Sequence, residues 1–191
     1  VHEGELIIMS TRIMLKNVRL SYAHVWEPQP AREADREPKY ATSIIIPKSD
    51  AAQIKKIEAA IEALLKAEGP AKFGGKVPPR GSLKLPLRDG DTERDDEAYQ
   101  DAMFLNASSK TRPGIVDQNV EPILDRDEIY SGVYVNISIE LYLFNVNGNR
   151  GVACGLGNIQ KVRDGEALGG GAIKAESEFA VVDDDASDFL A

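Results

Sequence analysis

Residues 129–146, IYSGVYVNISIELYLFNV, constrain the fold more than any other stretch of the chain. From Val133 the pattern alternates without a slip: Val133, Val135, Ile137, Ile139, Leu141 and Leu143 share one side, and Tyr134, Asn136, Ser138, Glu140, Tyr142 and Phe144 the other. A period of two specifies one β-strand with two faces. The first face is wholly aliphatic and belongs on a core. The second sets aromatic rings among small polar groups. That pattern suits either a half-buried surface covered by a loop or a platform on which nucleic-acid bases stack.

The rest of the chain supplies partners for this strand. Residues 13–22 predict a first strand with Val18, Leu20 and Tyr22 on one face and Asn17, Arg19 and Ser21 on the other. Residues 26–38 carry Pro28, Pro30 and Pro38 and read as a long loop holding the only tryptophan, Trp26. The segment KYATSIIIP, ending at Pro47, predicts a second strand. Residues 49–67 predict one amphipathic helix: Asp50 and Gln53 fit a capping box, Ile54, Ile57, Ile61, Leu64 and Leu65 recur at helical spacing, and Gly69-Pro70 marks the end. Residues 70–101 are irregular, with Phe73, Gly74, Gly75, Lys76, Arg80, Lys84 and Arg88, and suit a binding loop or a disordered surface loop equally. Residues 102–108, AMFLNAS, alternate again, with Phe104, Asn106 and Ser108 opposite Met103, Leu105 and Ala107. Asn147-Gly148 is a strong hairpin signal and folds the long strand back on residues 151–162. Gly151, Gly155 and Gly157 in that return strand predict a bulge or a close approach of another group.

Composition excludes several classes. One cysteine, Cys154, cannot form an internal disulfide, and no apolar run approaches the roughly 20 residues of a membrane helix. The net charge of −8 is unevenly placed. Residues 176–191 carry six acids and no base, and residues 89–101 carry seven acids against Arg94; without these two segments the balance moves from −8 through −2 to +4. The remainder is mildly basic, compatible with a phosphate-binding groove. His2 and His24 are the only histidines, and neither sits in a ligand-spaced cluster. No Walker loop, nucleophile elbow or dinucleotide fingerprint occurs, so no catalytic site, cofactor or metal is expected. The alternative enzymatic reading is a metal-dependent phage nuclease using Asp89, Asp91, Asp95 and Asp96. A virion or scaffold protein that turns its aromatic face toward protein is a third reading.

The order LRDGD, AMFLNASS, IYSGVYVNISIELYLF and GVACGLGNIQKVRDGE, followed by a glycine cluster, resembles a family of bacteriophage single-stranded-DNA-binding proteins. The resemblance implies a mainly β, OB-fold-like five-stranded barrel with one helix and extended loops. It further implies a non-enzymatic protein that coats single strands during phage DNA replication or recombination, in the cytoplasm of the infected bacterium. The acidic C-terminus, with Asp183, Asp184, Asp185, Asp188 and Phe189, resembles the tips of such proteins. That likeness implies recruitment of phage or host replication proteins and competition with DNA. The expected organisation is a leader (1–12), a binding domain (13–164), a flexible linker (165–182) and the acidic tail (183–191). Homo-oligomerisation is left open. The candidate stacking rings are Tyr134, Tyr142, Phe104, Phe73 and Trp26. The candidate phosphate contacts are Lys76, Arg80, Lys84, Arg88, Lys110, Arg112 and Arg150.

Overall fold

The computed structural model describes residues 12–30, 37–168 and 179–182. Seven strands appear in chain order: β1 (Arg12–Gln29), β2 (Lys39–Pro47), β3 (Arg88–Asp89), β4 (Ala102–Ser109), β5 (Ile115–Val116), β6 (Tyr134–Val146) and β7 (Asn149–Arg163). Two helices join them, α1 (Ala51–Lys72) and the single turn α2 (Gly90–Glu93). The five long strands close into a barrel in the order β4-β2-β1-β6-β7, and a parallel contact between Ser108 and Gly155 joins β7 back to β4. This is the five-stranded OB architecture. Among the described residues no helix is long and apolar enough to cross a membrane.

The inward face of β6 is as the alternation requires. Val133, Val135, Ile137, Ile139, Leu141 and Leu143 are all buried and join the main core with residues of α1 and the facing strands. The regular strand begins at Tyr134, later than the apolar pattern, because Gly132 (φ +115°) turns the chain just before it. Asn147 and Gly148 both have positive φ, so the hairpin turn has the twist that suits antiparallel strands. Half of the capping box forms: Asp50 accepts the Gln53 backbone N–H at 3.4 Å, but the Asp50 N–H donates to Pro47 at 2.9 Å, and the Gln53 side chain instead bonds both the N–H and the C=O of Lys16, fastening α1 to β1.

Four expectations need correction. First, β1 runs on through Trp26 to Gln29, so the tryptophan stands in a strand; cross-strand pairing with β2 overrides the proline signal of the segment. Second, α1 does not stop at Gly69-Pro70 but continues to Lys72. Gly69 makes room for Val77, whose Cγ2 would lie 2.7 Å from a Cβ there, and the chain leaves the helix through Gly74 and Gly75, both at positive φ. Third, residues 70–101 are an ordered crossing that contains β3 and α2 and a fully buried Tyr99. Fourth, the first residues assigned to the linker are attached to the barrel: Gly165 accepts from the Tyr130 hydroxyl at 3.0 Å, and Leu168 donates to Ser131 at 2.8 Å. Residues 1–11, 169–178 and the acidic tail 183–191 lie outside the described residues.

Candidate nucleic-acid interface

On an OB barrel the second and third barrel strands, here β2 and β4, present the outer face that oligonucleotide-binding members use. Asn106 and Ser108 stand on that face of β4 because strand alternation sends Leu105 and Ala107 into the core. Three adjoining clefts meet at Ser108. The first, about 430 Å³, lies between Tyr22, Arg94, Thr42 and Asn106. The second, about 210 Å³, is bounded by Pro86, Arg88, Asn106 and Tyr142. The third, about 360 Å³, reaches Arg12, Glu140 and Gly155 beyond Tyr142. Together they form a furrow with an exposed tyrosine toward each end, Tyr22 at 55% and Tyr142 at 46% exposure.

Tyr142 projects from β6, yet its ring lies over the neighbouring strand. The ring passes close above Gly155: a Cβ there would stand 3.8 Å from its Cε1, in ordinary contact, so a small residue at this position suffices. Tyr22 reaches the furrow through a backbone irregularity. Asn17 and Tyr22 both have positive φ (52° and 47°), and β1 shifts register against β6 between Leu15 and Val18 and against β2 between Ser21 and His24. Each shift resets the alternation. Tyr22 therefore faces solvent, contrary to its expected place on the face with Val18 and Leu20.

Phe104 points outward as expected but is fully buried. The segment after α2 folds over it: Tyr99 meets Phe104 edge-on, 5.2 Å between centroids, in a small second core with Ile45 and Ala102. The Tyr99 hydroxyl donates to Ser43 at 2.9 Å. Phe104 thus carries cations instead of bases, with the Arg88 and Arg94 guanidinium carbons 5.3 and 5.1 Å from its ring centroid. Phe73 is likewise buried in the main core. Its candidacy as a stacking ring ends there, for the same reason. Tyr134 is half-buried between two cations, Arg163 at 3.6 Å and Arg19 at 5.4 Å from its centroid. Trp26 donates from Nε1 to the Ile129 carbonyl at 3.1 Å and carries Arg112 at 5.6 Å.

The expected phosphate contacts are dispersed. Arg88 lines the furrow while forming a forked pair with Glu93 at 2.8 to 3.0 Å. Arg80 pairs with Glu62 at 3.3 Å and Lys110 with Glu37 at 2.9 Å. Lys84 donates to Asn149 at 2.9 Å, and Arg150 lies beside it at the β6–β7 hairpin. Lys76 stands exposed in the turn after α1. None of Lys76, Arg80, Lys84, Lys110, Arg112 or Arg150 lines the three clefts. Arg12 and Arg94 do, and both escaped the sequence reading. The one available signal for Arg94 was that it is the sole base among seven acids.

Four of those acids, Asp89, Asp91, Glu93 and Asp96, have partners other than Arg94. Lys48 bridges Asp89 at 2.9 Å and Asp91 at 2.6 Å, and its hydrogen bonds hold both carboxyls below the ordinary aspartate range. Asp96 accepts the Ala98 backbone N–H at 3.0 Å. Among the described residues no group of three or more His, Cys, Asp or Glu converges as a metal site. The quartet Asp89, Asp91, Asp95 and Asp96 is therefore deployed as lysine partners and turn caps where it has partners at all.

Comparison with known proteins agrees with this architecture. Residues 11–190 match the family of the Enterobacter phage Enc34 ssDNA-binding protein. A protein described as putative protein p50 of Acyrthosiphon pisum secondary endosymbiont phage 1 is 34% identical over 174 residues, 88% of this chain and 92% of that one. The single-stranded DNA-binding protein of bacteriophage Enc34, solved with ssDNA, superposes with a TM-score of 0.73 at 27% identity, covering 83% of this chain and 90% of the other. The bacteriophage T7 protein gp2.5, at 15% identity, a TM-score of 0.57 and coverage of 88% and 94%, shares the fold. By its matched length and its identity to the p50 protein, this chain belongs to the Enc34 phage ssDNA-binding protein family.

Proposed function

We propose that this chain binds single-stranded DNA along the furrow between Tyr22 and Tyr142, without catalysis and with little sequence preference. The observation that carries the reading is the pair of exposed rings flanking a polar strip, Asn106 and Ser108, edged by Arg88 and Arg94. Bases of any sequence present a π-face, so rings give affinity, and guanidinium groups supply the phosphate contacts. Glu140 sits beyond Tyr142, at the far end of the furrow, where a strand crossing β4 need not pass. The chain's role is to coat single strands during phage DNA replication and recombination. The acidic tail, with Phe189 near its tip, recruits replication proteins and competes with DNA for the cations.

An anisotropy titration with labelled oligo-dT, duplex DNA and RNA of equal length, at two salt concentrations, tests this. Oligo-dT should bind best, and Tyr22→Ala and Tyr142→Ala should each weaken it by about 1–3 kcal/mol. Wild-type affinity in the double variant, with the fold intact, would remove the furrow from consideration.

A further inference from the structure

Arg94 is an arginine without an acceptor among the described residues. Of the acids near it in sequence, Glu93 holds Arg88, Asp91 holds Lys48 and Asp96 caps a backbone N–H, and among the described residues no ion pair joins Arg94 to Asp95 either. The guanidinium is instead boxed by three rings, with its carbon 5.1 Å from the Phe104 centroid, 5.4 Å from Tyr99 and 5.8 Å from Tyr22. Its Nε is buried with no hydrogen-bond partner, while the residue lines the 430 Å³ cleft beside Asn106 and Ser108. The rings flank the guanidinium and exclude water from Nε, while the residue also borders the cleft. A charge desolvated on one side and unpaired on the other is costly until an anion meets it.

We propose that Arg94 is a positional phosphate clamp: it takes one phosphodiester of a bound single strand and fixes the register of the neighbouring base against Tyr22. This rests on the furrow being the DNA site. It adds that one linkage is held by a guanidinium that has no acceptor among the described residues, whereas Arg88 shares its charge with Glu93. The site calls for arginine specifically, since an ammonium offers no planar face to three rings and no forked pair of donors to a phosphate.

The test is the salt dependence of oligo-dT affinity for the full chain and for Arg94→Met and Arg94→Lys, with thermal melts as the folding control. Each phosphate neutralised on a single strand contributes about 0.7 to the slope of log affinity against log salt. Arg94→Met should lose roughly tenfold in affinity at low salt and flatten the slope by about 0.7. Arg94→Lys should keep the slope and still lose affinity. If Arg94→Met melts early, the lysine variant decides, and wild-type affinity in it overturns the clamp. A folded Arg94→Met variant with the wild-type slope also overturns it, even if affinity falls, because Arg94 would then touch a base edge. Failure of the wild-type chain to bind any single strand is a separate result that removes the furrow itself.

Discussion

Gly155 offers the sharpest test of how Tyr142 reaches the furrow. A Cβ added there would lie 3.4 Å from the Glu140 carbonyl oxygen and 3.8 Å from Tyr142 Cε1, both ordinary contacts. Gly155→Ala should therefore leave the ring in place and change DNA affinity less than threefold. Gly155→Val adds two γ-methyls, each about 1.5 Å further out, to a Cβ bounded by backbone on one side and the ring on the other. The carbonyl belongs to a paired strand and cannot yield, so the tyrosine swings away. The expected loss is one stacked base, about 1–3 kcal/mol, or roughly 5- to 150-fold in affinity for oligo-dT. Stability should not fall, since valine suits a strand better than glycine by roughly 0.5–1 kcal/mol. A double-mutant cycle settles the cause. If the valine acts through the ring, it should cost nothing further once Tyr142→Ala is present. Equal losses in both backgrounds, or no loss in either, would refute the reasoning.

Three further outcomes follow from particular contacts. Phe104→Ala should destabilise the fold by about 3–5 kcal/mol in urea unfolding, because the ring is fully buried beneath Tyr99; a loss of DNA affinity at unchanged stability would point back to a stacking role. The Lys48 contacts with Asp89 and Asp91 depress both carboxyls below their ordinary value of 3.8, so their stabilisation is complete above that pH and is lost as pH falls through the lower folded values. Lys48→Met should accordingly narrow the stability difference between pH 7 and pH 3, and an unchanged difference would show that the bridges contribute nothing. Burial pushes the Cys154 thiol up to about 12; a thiol reagent at pH 8 should label it only at the rate of unfolding, and rapid labelling of the native protein would contradict its buried position.

The strand β6 was legible because the alternation is unbroken from Val133 to Leu143 and its turn is an Asn-Gly pair. The cap at Asp50 was legible because both partners lie within one helical turn. What escaped reading depends on contacts distant in sequence or on backbone torsions that composition does not encode. The face of Tyr22 was assigned by counting in twos from Val18, and the positive φ at Tyr22 itself, with the register shift that follows it, breaks that count. Phe104 was correctly turned outward, but the roof over it comes from Tyr99, held down by a hydrogen bond to Ser43 on another strand. Arg94 was counted as a lone offset in an acidic segment. Glu93, Asp91 and Asp96 prove to serve Arg88, Lys48 and a turn, and Arg94 itself forms no ion pair among the described residues.

The closure of the barrel by β7 also dictates when the furrow can exist. Arg12 pairs opposite Glu140, and Ser108 meets Gly155, so the first and third barrel strands, each already beside β2, gain their second lateral neighbours only from the last third of the chain. Contacts this far apart in sequence slow folding, because the intervening chain must be closed into a loop before they return any stabilisation. During synthesis, β1, β2 and β4 leave the ribosome well before β6 and β7, with their apolar inner faces uncovered. The ring of Tyr142 has no glycine to lie across until β7 has been made. A nascent chain therefore cannot engage DNA at this surface until its C-terminal strand has emerged and the sheet has closed.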